Sequence, residues 1–292
     1  MIDFVLRNTE SKPDGIKRII GSQIDFALYN LEQNIDKDFD ESVHEARKCS
    51  KRIRAVLRLI QYEIGDELFK KENYHYRDIN RYLSEVRDIT VVIEMFNNLI
   101  KDKPEPFSKE LINNLINCKD KLIGRFFAEE DRLTVVLNLL GKGRQRVKTM
   151  PVKKDDINVL FIGFISVFEL CKKCMNIARK APTTENLHEW RKQTKYLYYQ
   201  SQVLEPFLPD ELIIIKSKLD KLAEYLGEDH DLAELGNFLN SVSDIYPANS
   251  EMNKLKTMIN NCRIEKQAAI FSLADEIFDK KTEKHINNLI SN

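Results

Sequence analysis

Two segments of the chain carry the same cationic pattern. Val43-His-Glu-Ala-Arg-Lys-Cys-Ser-Lys-Arg-Ile53 and Leu187-His-Glu-Trp-Arg-Lys-Gln-Thr-Lys-Tyr-Leu197 both read apolar-His-Glu-x-Arg-Lys-x-x-Lys-x-apolar. Arg supplies flat forks of donors matched to phosphate oxygens, and Lys supplies mobile point charges, so the combination suits a phosphate chain with many equivalent oxygens. At about 100° per residue on a helix, His44, Arg47, Lys48, Lys51, Arg54 and Arg58 fall in one sector. Val43, Ala46, Ser50, Ile53, Leu57 and Ile60 fall in the opposite one. A solvated helix face alternates the signs of its charges to form i,i+4 pairs. Here six Lys or Arg between His44 and Arg58 face a single acidic residue, Glu45. Such a stripe repels itself unless something anionic neutralises it. The second copy is sparser, with His188, Arg191, Lys192 and Lys195 on its polar face and Leu187, Trp190, Leu197 and Leu204 behind them.

The elements that must position these residues are helical. Gly 9 and Pro 8 are few in 292 residues, while helix formers dominate. Apolar residues recur at three- and four-residue intervals without strand alternation, which predicts an all-α chain of about eight helices. Breaks are expected at Lys101–Pro106, from Gly141-Lys-Gly143 to Met150-Pro151, at Ala181-Pro182, from Pro206 to Pro209, and at Tyr246-Pro247. The first motif recurs 144 residues on, from Val43 to Leu187, and Leu83-Ser-Glu-Val-Arg-Asp88 recurs as Leu226-Gly-Glu-Asp-His-Asp231, 143 residues on. Two motifs in the same order and at nearly the same separation indicate a duplication. The expected halves are 1–150 and 151–292. Asp40 and Thr184, equivalent under the offset, are the predicted caps of the two motif helices. The charged faces are expected to meet, bringing Arg47 and Arg191 to one groove.

Composition narrows the function further. Lys+Arg 46 and Asp+Glu 46 cancel, so no global basic field draws the chain to nucleic acid and any polyanion site is local. The start, Met1 to Gly15, lacks the basic and apolar runs of a signal peptide, so a cytoplasmic location is expected. The apolar stretch from Ile157 to Phe168 is too short to cross a bilayer and reads as a core helix. Cys49, Cys118, Cys171, Cys174 and Cys262 show no disulfide spacing, and the lone Cys171-x-x-Cys174 reads as core thiols rather than a metal or redox pair. No cofactor and no metal are expected.

The paired His-x-x-Arg-x-x-x-Lys helices, each followed by a Leu-rich segment ending in Arg-Asp or its equivalent, resemble the CHAD family, the conserved histidine α-helical domain, from about Gly15 to Ile290. The resemblance implies two four-helix bundles related by pseudo-twofold symmetry, and binding of inorganic polyphosphate in a basic channel between them. It implicates His44, Arg47, Lys48, Lys51, Arg52 and Arg54, then His188, Arg191, Lys192 and Lys195, to which spacing adds Arg58. Asp88 and Asp231 match the acidic position of the second motif, with an orienting role toward the basic side chains. The resemblance also implies association with polyphosphate granules and no catalysis. The chain departs from the family at Tyr196 and Tyr198, where the motif continues with Arg, and at His230, which replaces the Arg of Arg-Asp. Weaker binding by the second half, or use of tyrosine hydroxyls as neutral donors, follows. No Glu-x-Glu-x-Lys segment opens the chain, so a fused triphosphate-tunnel domain is not expected.

Other readings lack parts. A metal-dependent phosphohydrolase of the His-Asp type would use His188, His230 and Asp231, yet His75 and His285 stand alone and the ligand set is incomplete. His44-Glu-Ala-Arg47 resembles a histidine-kinase phosphoacceptor segment, but no glycine-rich nucleotide motif accompanies it. RNA binding shares the electrostatics without an aromatic platform. A helical protein-interaction scaffold is the remaining alternative.

Overall fold

The structure, a computed structural model, describes residues 3–101, 109–129, 131–241 and 250–290. Among these residues it is all-α, with no strand. Helix α1 (Lys12–Tyr29) leads to α2 (Phe39–Leu59), which carries the first motif. The short α3 (Gln61–Ile64) is followed by α4 (Asp66–Tyr82), α5 (Ser84–Lys101), α6 (Lys109–Gly124) and α7 (Arg132–Lys148). Then come α8 (Ile157–Lys180), α9 (Thr184–Val203) with the second motif, α10 (Asp210–Ser241), α11 (Ser250–Ile277) and α12 (Lys280–Asn287). Among the described residues twelve α-helices replace the expected eight, because short helices escape a periodicity count and because the chain breaks at Leu83 between α4 and α5. At the equivalent Leu226 the second half runs on unbroken as α10.

Three local expectations are corrected. The motif helices are capped by Asp38, whose carboxylate accepts from the Glu41 N–H at 3.0 Å, and by Thr183, whose hydroxyl accepts from the Asn186 N–H at 3.2 Å. Asp40 lies inside α2, accepting from the Thr90 hydroxyl at 2.8 Å and pairing with Lys119. Thr184 is likewise inside α9 and accepts from Arg263 at 3.5 Å. Neither residue can cap, because a cap needs extended backbone one position before the helix. Nor do Gly141 and Gly143 break the chain: both lie inside α7. A Cβ on Gly143 would come within 2.7 Å of the Tyr76 hydroxyl on α4, so this glycine serves close helix packing instead. The break falls later, in residues 149–156. The expected breaks at 101–106 and 246–247 lie largely or wholly outside the described residues.

The apolar faces behave as their periodicity requires. Val43, Ala46, Ile53, Leu57 and Ile60 of α2, and Leu187, Trp190, Leu197 and Leu204 of α9 or its end, join one core that also takes in α1, α7 and α8. Trp190 is fully buried and stacks on Phe271 with ring centroids 5.5 Å apart. The stretch from Ile157 to Phe168 supplies Leu160, Phe161, Phe164, Val167 and Phe168 to this core, and no helix among the described residues is long and apolar enough to cross a membrane. Gly163 of α8 lets that helix touch the end of α2, since a Cβ there would sit 2.4 Å from the Leu59 carbonyl oxygen. Cys171 and Cys174 are buried in the same core, and burial pushes the Cys171 thiol up to about 12.

A second, smaller core matters most for the site. Ile89, Val92 and Phe96 of α5 pack against Leu232, Leu235 and Leu239 of α10 and Met252, Leu255 and Ile259 of α11. It holds together the two second-motif segments, each of which has its Asp one residue before a core aliphatic: Asp88 before Ile89, and Asp231 before Leu232.

Candidate polyanion site

The two motif helices pack directly on one another. The Gln200 side chain of α9 donates to the Ala55 carbonyl of α2 at 3.0 Å, and the Arg58 guanidinium lies 3.8 Å from the centre of the Tyr196 ring. Helix α4 flanks α2 in the opposite direction: Arg47 donates to the Asn80 carbonyl at 3.0 Å, while Arg54 and Arg58 share the Asn73 side-chain oxygen at 2.9 and 3.2 Å. Helix α10 flanks α9, with Gly227 beneath the Arg191 guanidinium.

Around the middle of α2 and α9 the cations converge. Lys51 has Arg191, Arg47 and Lys195 around it and Asp231 as its acidic neighbour; burial first, then those cations, hold its ammonium well below the ordinary lysine range. Burial and the nearby Arg191 likewise lower Arg47 and Lys195, although Asp88, 3.6 Å from Arg47, works the other way. Among the described residues neither Lys51 nor Arg191 has a hydrogen-bond or ion-pair partner, and the Arg191 Nε is buried with no acceptor. Leaving a deep-set guanidinium nitrogen unsatisfied is unfavourable.

Not every cation of the stripe is open in this way. Lys48 donates to Glu45 at 2.7 Å, and Lys192 bonds Glu189 in the equivalent i,i+3 arrangement. The single motif glutamate therefore neutralises one lysine in each copy, which the sequence count treated as unpaired. Arg52 turns aside from the other cations to Gln23 at 3.4 Å and to the rings of Phe4 and Tyr199, 5.0 and 5.7 Å away. Arg54 and Arg58 form a separate group with Asn73, Phe69 and Tyr196, where burial lowers Arg58 to about 10.

The histidines border the same cluster, since Lys51 acts on His44, His188 and His230 alike. His44 is pushed down to about 4 by burial, then by Arg87 and by Lys51 and Lys48, against the opposing Glu45. The Nδ1 atoms of His188 and His230 are 3.4 Å apart. Burial and Arg191 lower both, His230 to about 3. All three imidazoles are therefore neutral at pH 7. His188 and His230 are two of the residues the phosphohydrolase reading would use, with Asp231, toward a fuller ligand set. Among the described residues no group of three His, Cys, Asp or Glu is placed to hold a metal.

Arg87, Asp229 and Arg263, outside the sequence-based set, also shape the site. Arg87 of α5 acts on His44, Arg47 and Asp231 and is held by Glu94 at 3.1 and 3.3 Å. It stands next to Asp88 in the second motif, so its position was visible while its role was not. Asp231 faces Arg191, Arg87 and Lys51, with its carboxyl raised by burial. Asp229 is a further buried carboxylate of the second half, which accepts from Arg263 at 3.0 and 3.2 Å and from Gln267 at 2.9 Å. Arg263 of α11 also reaches Thr184, so this pair ties α10 and α11 to the start of the second motif helix. No spacing rule marks a buried Asp–Arg pair of this kind.

Comparisons agree with the helical architecture. The crystal structure of the CHAD domain from the plant Ricinus communis superposes with a TM-score of 0.67 at 16% identity, covering 94% of this chain and 93% of that one. No curated protein sequence matches. The family model of the CHAD domain matches residues 18–240, a span that takes in both copies of both motifs, and the chain therefore belongs to the CHAD family.

Proposed function

We propose that this protein binds a phosphate-rich polyanion, inorganic polyphosphate being the ligand that fits best, in the cleft between α2, α9, α5 and α10, and that it does so without catalysis. One observation carries the reading: Lys51 and Arg191 stand together, deep-set and without a partner among the described residues. Two adjacent cations that repel each other in the free protein are relieved by a ligand with closely spaced negative oxygens. Arg47, Arg87 and Lys195 extend the positive field, and the neutral His44, His188 and His230 add hydrogen-bonding nitrogens at its border. Polyphosphate suits such a cleft because the cluster offers charge and forks of donors matched to closely repeated phosphate oxygens. The same reading places the protein in the cytoplasm, at granules where the polymer accumulates.

The test is titration of the full chain with long-chain polyphosphate, single-stranded RNA and ATP at two salt concentrations. The reading expects polyphosphate to bind tightest of the three and to weaken steeply with salt. Equal binding of all three, or turnover of polyphosphate by the purified protein, contradicts it.

A further inference from the structure

The two halves of the cleft differ in charge where it opens past the central cluster. On the first side α2 continues with Arg54 and Arg58, both oriented by Asn73 of α4. On the second side, 144 residues on, α9 has Tyr198 and Gln202, which bond each other at 2.9 Å. The flanking helices diverge in the same sense. Helix α4 carries Arg77 and Arg81, both paired with Asp78 at 3.3 and 3.7 Å. At the positions 143 residues on, α10 carries Asp220 and Glu224. These two carboxylates act on Lys195, the last cation of the second motif helix, and Asp220 also accepts from the Tyr198 hydroxyl.

One arm is thus cationic and the other ends in acid. A linear polyanion seated on Lys51 and Arg191 meets further donors if it runs along α2 and meets repulsion if it runs along α9. We propose that a bound chain leaves the central cluster by one exit only, along the α2–α4 arm past Arg54 and Arg58, and that Asp220 and Glu224 close the other. The inference rests on the polyanion reading above and adds the direction in which the ligand lies. It makes the protein a reader of chain length, because phosphates beyond the central cluster find donors on one side alone. From Lys51 to Arg58 the α2 arm spans about 10 Å at 1.5 Å per residue, which sets the length over which added phosphates gain contacts.

The test compares polyphosphate of two defined lengths on the full chain: an oligomer that fills only the central cluster and a chain long enough to pass Arg58. The readout is the ratio of long-chain to short-chain affinity. Arg54→Gln should lower that ratio by about tenfold, the scale of one charge-assisted contact. Asp220→Asn with Glu224→Gln, both at exposed positions, should raise it by about threefold by opening the second arm. A ratio that stays at the wild-type value in both variants overturns the single exit while leaving polyphosphate binding itself intact. Failure of the wild type to bind either length would instead overturn the underlying reading, and the inference with it.

Discussion

The Nδ1 atoms of His188 and His230 lie 3.4 Å apart, and the same cations that crowd them leave both imidazoles neutral. Two nitrogens at that separation can share one proton in a hydrogen bond but resist holding two charges. If a polyanion occupies the cleft as proposed, it reverses the local field, and the imidazoles and the raised carboxyls of Asp231 and Glu234 should take up protons on binding. Binding that raises a pKa is tighter at low pH and weakens as pH climbs through the bound-state value. Affinity for polyphosphate should therefore rise as pH falls from about 7 toward the free-protein value of His44, about 4. Calorimetric titration in buffers of different ionisation enthalpy should show net proton uptake. The triple variant His44→Gln, His188→Gln, His230→Gln should lose most of the dependence and keep only the carboxyl contribution.

The same shifts have a consequence for folding. A histidine whose folded pKa is depressed contributes stability that is present above its unfolded value of about 6.5 and is lost as pH falls toward the folded one. The free protein should thus lose several degrees of Tm between about pH 6.5 and pH 4, the latter being the folded value for His44. Saturating polyphosphate should flatten the curve, since it lifts the folded pKa values. Thermal melts across that range, with and without polymer, read this directly; equal slopes would show that the ligand does not reach the histidines.

Lys51 and Arg47 look alike in the stripe and should respond differently to substitution. Lys51 is surrounded mainly by like charges and has no ion-pair partner among the described residues, so Lys51→Gln should leave the fold intact and raise Tm by a few degrees as repulsion is relieved. Arg47 donates to the Asn80 carbonyl and lies 3.6 Å from Asp88, so Arg47→Gln should lose about 1 kcal/mol. Chemical denaturation of both variants distinguishes a site cation from one that also bridges helices.

Asp229 should be the most sensitive single carboxylate. It is fully buried and holds Arg263 by two bonds and Gln267 by one. Removing one partner of a buried pair leaves an uncompensated charge, and Asp229→Ala should cost on the order of 3 kcal/mol in the free energy of unfolding. A loss below about 1 kcal/mol, of the size seen for exposed pairs, would show that Arg263 finds water or another acceptor.

How far the sequence led depends on which interaction placed each residue. The cationic stripe and the apolar faces of α2 and α9 followed from helical period, because burial of Val43, Ala46, Ile53 and Leu57 orients the helix and turns the charged sector away from the apolar core. Meeting of the two stripes followed from the repeat. What a stripe does not show is which cation is already neutralised: Lys48 is bonded to Glu45 and Arg52 is stacked between Phe4 and Tyr199, while Lys51 in the same row has no partner among the described residues. That division is set by contacts from α1, α4 and α9, far apart in the chain. The caps were misread by one or two residues, since Asp38 and Asp40 offer the same chemistry and only backbone conformation tells them apart. Gly143 was misread for a different reason, since a glycine that breaks a helix and one that admits a neighbouring helix look the same in one dimension.

The most direct test of the account is the salt dependence of polyphosphate binding in the wild type and in the double variant Lys51→Gln, Arg191→Gln. Each neutralised phosphate contributes about −0.7 to the log–log slope if the polymer behaves as a single strand. If these two cations hold the ligand, the variant should bind more than tenfold more weakly and its slope should be shallower by about 1.4, two contacts' worth, with the helical circular dichroism unchanged. An unchanged affinity and slope in a folded variant would contradict the account, because the two cations left unpaired among the described residues would then have no part in holding the polyanion.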